Sequence, residues 1–425
     1  MRRRKHIAIM KSLSAPIPHR FHRPGNRATE AFAMTSFASA QALAATSFPS
    51  LSPTSLMHPG CVVVWGISKR SYAAAHELAT REGFARRLAA IKHFDFSGEH
   101  AAGREYLMPT YFVPSDTLGS VDAQAVGIDG VHDLFGGVVP YPFIATKAIT
   151  HPVFDANAAR PSGWNAEFGE RVAGAVLTGF SAFSLDDARR AGRSLLGAGV
   201  VRVKPVRATG GRGQMVARDE SALDECLASL DPDEVIAHGV VLEENLVSPD
   251  TFSIGQIVVD RHVITYHGTQ RMTRDSQGDE VYGGSDLTLV RGGFDALLAA
   301  GLPPEIRLAV DQARLYHDAV VGCYPGFFSS RINYDIARGR GAMGQWRSGV
   351  LEQSWRVGGA TGAELAALEL FCNEPDRRMV RVSCFERYGD FDLPAGAGIY
   401  YSGVDPQVGR LTKYTLVEPH AGNAS

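Results

Sequence analysis

The sequence predicts an α/β (α+β) protein, and three observations carry that prediction. CVVVWG at 61–66 is a compact apolar run ending in glycine, followed by apolar residues at helical spacing. TFSIGQIVV and HVITYHGTQRMT read as antiparallel strands across a turn at Asp260–Arg261. RINYDIA and VLEQSW read as two further strands joined by a basic, glycine-rich loop. A chain of 425 residues has room for two or three domains and a large core.

Residues 1–57 are rich in Ser, Ala, Pro and Arg and lack sustained periodicity. Such a composition does not bury enough apolar surface to fold alone. The stretch is expected to be a disordered or spurious extension, with Met34 or Met57 as alternative starts. It is acid-poor and opens with MRRRK, as transit peptides do, but lacks the apolar core of a secretory signal.

Folded sequence is expected from Cys61. A helix follows from about Lys69 to Lys92, and REYLMPTYFVPSDTL adds a strand and turn. The Gly- and Pro-rich segment 132–154 carries Lys147 in a loop. Residues 165–200 are expected to be mostly helical, with Ser184 as an N-cap before Asp186 and Asp187. VRVKPV and GQMVA are strands flanking ATGGRG. A short helix, SALDECLASL, precedes VIAHGVVLEENL at 235–246, read as one strand ending in paired acids. GDEVYGGSDLTLVRGG reads as a loop, and PPEIRLAVDQARLYHDAVVGC as a helix opened by Pro303 and Pro304. A helix near 362–370 and strands at 379–388 and 398–417 close the chain.

Charge narrows the partners. Residues 1–57 hold eight Lys and Arg and one acid, so the rest has 35 basic and 44 acidic residues, a net of −9. Such a body is a poor surface for nucleic acid. No apolar run has the length of a membrane span. Five scattered cysteines without a C-x-x-C favour a reducing, cytoplasmic location over a disulfide or zinc scaffold.

The chemistry gathers in 331–361. Asn333 and Asp335 lie two apart on one strand, and Glu352, Ser354 and Arg356 lie at i, i+2, i+4 on the next. Residues two apart share a strand face, so pairing would oppose two carboxylates. A divalent cation, with substrate phosphates completing its shell, suits such a pair. The alternative is a polar, solvated hairpin. Gly339, Gly341 and Gly344 spell G-x-G-x-x-G, but strand rather than helix follows, which argues against a dinucleotide site. Upstream, Lys204 runs into ATGGRG, whose Gly210, Gly211 and Gly213 let backbone N–H groups approach phosphate oxygens. A simple glycine-rich turn is the alternative. Glu243 and Glu244 end an apolar strand that could seat an adenine and its ribose hydroxyls, or be solvated acids.

The order Lys147, Lys204 with ATGGRG, VVLEENL, then INYDIA…VLEQSWRVGGAT resembles the ATP-grasp superfamily, which includes biotin carboxylase, carbamoyl phosphate synthetase and the D-alanine–D-alanine ligases. The bacterial group of the "domain of unknown function 3182" kind is the nearest resemblance. It covers roughly 140–370, with 60–140 as the preceding domain. The resemblance implies an ATP-grasp fold with a small N-terminal α/β pre-ATP-grasp domain at 58–145. A first ATP-grasp part would span 146–246, including a lid at about 198–246, and a C-terminal subdomain with the metal site would span 247–425. It implies ATP and Mg2+ or Mn2+ as cofactors. Asp335, Glu352 and Ser354 would be metal ligands. Lys147, Lys204, Gly210, Gly211 and Gly213 would lie on the phosphates, and Glu243, Glu244 and Leu246 at the adenine and ribose hinge. Arg356, with Arg271, would act in catalysis. Ser354 stands where the family has asparagine, with Gln353 or Asn333 as compensating candidates. The implied activity is a carboxylate–amine ligase working through an acylphosphate on a small carboxylate-bearing substrate, with homodimerisation an open expectation. The competing reading is an ATP- and Mg2+-binding protein without ligase activity. Arg271, Arg274 and Arg331 fit a small anionic substrate or are solvated.

Overall fold

Local sequence explains most of the elements. In the computed structural model the described residues are 60–67, 75–207 and 213–419. The expected extension at 1–57, and Gly210 and Gly211, lie outside them. β1 (Cys61–Trp65) is buried from Cys61 to Val64, so it needs cover on both faces. α1 (Ala75–Lys92) supplies one cover through Phe84, Ala85 and Leu88. β2 (Asp95–Glu99) and β3 (Thr110–Pro114) flank β1 in parallel. β4 (Leu118–Gly119), α2 (Ser120–Ala125) and β5 (Gly137–Val139) follow. Two 3-10 turns come next, Pro142–Ala145 and Lys147–Thr150, then α3 (Ala166–Val172).

The segment expected to be mostly helical contains a strand, β6 (Gly179–Ala182). It is followed by α4 (Leu185–Leu196), capped by Ser184 as expected. β7 (Val201–Pro205), β8 (Met215–Ala217), α5 (Glu220–Ala228), α6 (Pro232–His238) and β9 (Val240–Glu244) complete this region. The run expected as a strand from residue 235 is therefore helical in its first half. Asp231 caps that helix, Pro232 opens it, and Gly239 ends it at a positive φ of 88°.

β10 (Val247–Val259) and β11 (His262–Arg274) form the expected hairpin. The stretch expected as a loop is a strand, β12 (Glu280–Arg291). Leu287 and Leu289 alternate into the core, and Gly284 sits at φ 138° where any Cβ would strike the Cys384 carbonyl at 2.0 Å. α7 (Phe294–Leu298), α8 (Pro304–Cys323) and β13 (Phe328–Ser329) lead to β14 (Arg331–Arg340) and β15 (Trp346–Ser354). α9 (Thr361–Asn373), β16 (Met379–Tyr388), β17 (Gly398–Asp405) and β18 (Gly409–Val417) close the chain.

Among the described residues the strands form four sheets: β2-β1-β3, β13-β5-β4, β6-β9-β7-β8 and the long β15-β14-β10-β11-β12-β16-β18-β17. α9 and α1 cover one face of the long sheet through Tyr266, Leu287, Leu365 and Leu88. α8 and α3 cover the other through Ile254, Tyr334, Val320 and Phe168. No helix among the described residues is long and apolar enough to cross a membrane.

One buried ion pair ties the sheet to α9. Arg331 on β14 meets Glu364 at 2.8 Å, with side chains 2% and 0% exposed. The Tyr266 hydroxyl lies 2.6 Å from the same carboxylate. Removing one partner from a buried pair strands a charge and costs about 3–5 kcal/mol, whereas replacing both with apolar groups of similar volume costs much less. Glu364→Ala should therefore lower unfolding free energy by about that amount in urea titrations, and the double change Arg331→Met with Glu364→Leu should recover most of it. Equal loss in both variants would remove this pair from its structural role.

Candidate active site

A cleft of about 260 Å3 opens between the four-stranded sheet and the long sheet. From the small sheet come Arg202 and Lys204 on β7 and Glu243 and Glu244 on β9. From the long sheet come Thr251 on β10, Gln270 on β11, Asp335 and Ala337 on β14, and Leu351 and Glu352 on β15. Leu177, Leu246, Ala337 and Leu351 pack together as one apolar cluster lining it.

Strand register sets the acidic wall. Asp335 is directly opposite Glu352, and Asn333 opposite Ser354. Asp335 Oδ1 accepts hydrogen bonds from Gln270 Nε2 at 2.9 Å, Asn333 Nδ2 at 3.0 Å and Ser253 Oγ at 3.3 Å. Burial, then the Glu352 charge, pushes the Asp335 carboxyl up to about 6 despite those donors. Glu352 in turn meets Lys147 Nζ at 2.7 Å, from the 3-10 turn Lys147–Thr150. Opposed carboxylates with this residual repulsion form a donor set that fits Mg2+ or Mn2+. Such ions are held by one or two carboxylates with phosphates and water. Among the described residues no cluster of three or more His, Cys, Asp or Glu offers a larger metal cage.

The opposite wall carries cations, most already engaged. Lys204 Nζ lies 2.5 Å from Glu243 Oε1, and both side chains are buried. His151 Nε2 donates to Glu243 Oε2 at 3.1 Å. Burial pushes the Glu243 carboxyl up, but Lys204 and His151 outweigh it and hold it below the usual range. Glu244 is clamped by Arg347 at 2.6 and 3.0 Å and accepts the Thr178 backbone N–H at 3.0 Å. Arg202 donates to the amide oxygens of Gln214 at 3.0 Å and Asn245 at 2.7 Å.

The cleft thus brings together Lys204, Glu243, Glu244, Leu246, Asp335 and Glu352, with Lys147 against Glu352. Other expected residues sit elsewhere. Ser354 Oγ lies 3.4 Å from the Arg331 guanidinium, a poor place for a second cation ligand. Gln353, offered as its substitute, donates to the Ile144 and Thr146 carbonyls on the other strand face. Asn333 instead orients Asp335. Arg356 lies past the end of β15 and meets Asp116 at 3.5 Å. Arg271 follows Gln270, which points at Asp335. Alternation sends Arg271 to the opposite face, where it pairs with Asp286 and stacks 4.1 Å over Phe385. Arg331, read as a candidate for anionic substrate, is buried against Glu364. Arg274 donates to the Gly278 carbonyl within its own hairpin. Gly213 adopts φ 66° at the turn into β8. Arg202, Gln270, Ser253, His151 and Arg347 were not read from the sequence. The strand alternation of VRVK alone could have flagged Arg202, two residues before Lys204.

The raised Asp335 group gives a stability prediction. A carboxyl bound more tightly to its proton in the fold stabilises the fold when protonated, so its contribution is lost as pH rises from about 4 to about 6. Asp335→Asn keeps an acceptor without the charge. In the metal-free protein it should raise stability at pH 8, by up to about 3 kcal/mol, and the gain should fade by pH 4. A pH-independent effect in denaturation curves would contradict the buried-charge account.

Comparison with known proteins places the chain in a family. No curated protein matches the chain. Among solved structures it is similar to phosphoribosylamine–glycine ligase from Thermotoga maritima. The identity is 14%, over 84% of this chain and 92% of that one, with a TM-score of 0.43. It is similar to D-alanyl-alanine synthetase A from Vibrio cholerae at 11% identity, over 70% and 89%, with a TM-score of 0.39. It is also similar to an ATP-grasp RimK domain protein from Sphaerobacter thermophilus at 11% identity, over 71% and 94%, with a TM-score of 0.33. The family model described as "Protein of unknown function (DUF3182)" matches residues 64–415, and the chain belongs to that family.

Proposed function

We propose that the cleft binds ATP with Mg2+ or Mn2+ and that the protein is an ATP-dependent ligase of the ATP-grasp type. One observation carries the reading: an apolar cluster, a wall with Lys204 and Arg202, and an opposed carboxylate pair converge on one cleft. Leu177, Leu246, Ala337 and Leu351 suit the flat apolar faces of a base. Lys204 and Arg202 suit phosphate oxygens through charge-assisted hydrogen bonds. Asp335 and Glu352 would hold the cation, which when bound neutralises charge on the phosphates. Lys147 and the donors on Asp335 keep both carboxylates oriented before ligand arrives.

In the full reaction a substrate carboxylate oxygen takes the γ-phosphoryl group as the bond to ADP breaks. An amine then attacks the acyl carbon and inorganic phosphate leaves. Arg356 does not line the cleft, and to act on the transferring phosphoryl group it would have to exchange Asp116 for it. Arg271 is not carried forward, because it lies on the other face of β11. A second reading, nucleotide binding without turnover, is favoured by Ser354. Its hydroxyl faces Arg331, so the metal wall has two protein ligands rather than three.

Isothermal titration with Mg2+-ATP should show binding that weakens about tenfold or more in Lys204→Met, since one charge-assisted contact contributes about 1.5–3 kcal/mol. Glu352→Gln should weaken the dependence of ATP binding on Mg2+ and leave adenosine binding unchanged. Wild-type protein that fails to bind Mg2+-ATP would sink the proposal. Binding without ADP release on pooled carboxylates and amines would select the non-catalytic reading.

A further inference from the structure

We infer that His151 is a positioning residue for Lys204, acting through the buried carboxylate of Glu243. The inference rests on the reading of Lys204 as a phosphate-binding side chain. His151, Glu243 and Lys204 are 1%, 1% and 3% exposed. The carboxylate is shared, one oxygen to each partner: Oε1 to Lys204 at 2.5 Å and Oε2 to His151 at 3.1 Å. Lys204 and Glu243 line the cleft, whereas His151 stands behind them. A carboxylate bound only to Lys204 could swing about its own side-chain torsions and carry the ammonium with it. The histidine bond removes that freedom, and it also draws part of the carboxylate's charge away from the lysine.

The surroundings are shaped to hold this ring. Gly179 pairs with Glu243 across the sheet, and a Cβ there would lie 2.9 Å from both His151 Cε1 and Glu243 Cβ. The His151 segment is strapped to β6. Ser181 Oγ donates to the Ala148 carbonyl at 2.5 Å, and the Ser181 N–H to the Pro152 carbonyl at 2.9 Å. The other ring nitrogen, Nδ1, is buried without a hydrogen-bond partner among the described residues. Burying such a group costs about 1–3 kcal/mol, which a ring serving only to fill space would avoid by being apolar.

The test is a double-mutant cycle read by titration calorimetry with Mg2+-ATP and with adenosine as the phosphate-free control. His151→Leu should weaken Mg2+-ATP binding about tenfold and leave adenosine within about twofold. His151→Gln, whose amide can still donate to Glu243, should retain most of the affinity. His151→Asn, which is too short to reach, should behave like His151→Leu and stands in for it should the leucine variant not fold. In the Lys204→Met background the change at His151 should add less than about twofold, because the residue it positions is gone. Equal losses for ATP and adenosine, or losses that multiply in the double variant, would overturn the inference and leave His151 as packing. Failure of the wild-type protein to bind Mg2+-ATP would instead overturn the functional reading and this inference together.

Discussion

Two carboxylates facing each other across a strand pair are the constraint around which this molecule is arranged. Asp335 and Glu352 are register partners on β14 and β15, and at that separation like charges destabilise the pair unless each is compensated. The compensation is asymmetric. Asp335 is half-buried and held by three neutral donors, Gln270, Asn333 and Ser253, from three adjacent strands. Glu352 is partly exposed and held by a cation, Lys147. The register that creates the opposition is itself pinned below the site. Arg331, four residues before Asp335, is locked to Glu364, and its guanidinium also donates to the Ser354 and Arg356 carbonyls. A slip of one residue would turn Asp335 out of the cleft and leave Arg331 unpaired, so the structural ion pair and the candidate metal pair specify the same register.

The 3-10 turn at Lys147–Thr150 plays the matching part between the sheets. Its first residue reaches Glu352 on the long sheet, and His151, the residue after its end, reaches Glu243 on the small sheet. A segment of five residues therefore orients one carboxylate on each wall of the cleft. Thr146 caps the turn by accepting from the Ala148 N–H, and the Ile144 and Thr146 carbonyls accept from Gln353 on β15. The glycine and proline content of 132–154 had read as a loop. What holds it is long-range: its hydrogen bonds reach Glu243, 92 positions from His151, and Gln353, 207 and 209 positions from Thr146 and Ile144, which no local pattern contains.

That contrast explains how far the sequence could be read. Elements whose faces differ in polarity were legible, because period-two and helical alternation reports directly on burial. β10, β11, β14, β15 and α8 fell where the pattern placed them. β12 did not, because its Gly283-Gly284-Ser285-Asp286 core spends side chains to admit close backbone approach at Thr273 and Cys384. That requirement is invisible until its neighbours are known. Among the residues lining the cleft, Lys204, Asp335 and Glu352 were legible from residue type and spacing. Arg271 failed on parity. The adjacent Gln270 has the face that points to Asp335, and which of two neighbouring polar residues points inward depends on a register set by partner strands. His151 was not legible, because what distinguishes it is one contact with Glu243, 92 residues away.

Charge accounting within the cleft yields the last step. Its lining carries Arg202 and Lys204 against Glu243, Glu244, Asp335 and Glu352. The cations that press on this lining from behind, Lys147 and Arg347, are each paired to one of those acids. The side chains taken together have no surplus of positive charge for a polyphosphate, whose own charge would meet Asp335 and Glu352 at close range. Under the proposed function, the described side chains alone would give a nucleotide little net attraction. A divalent cation held by Asp335 and Glu352 would, under the same proposal, neutralise that wall. Lys204 and Arg202 on the opposite wall would then meet the phosphates. Metal and nucleotide binding are on this account one coupled event. The raised Asp335 carboxyl, pushed up first by burial and then by the Glu352 charge, is the group that a bound cation would favour in its ionised form.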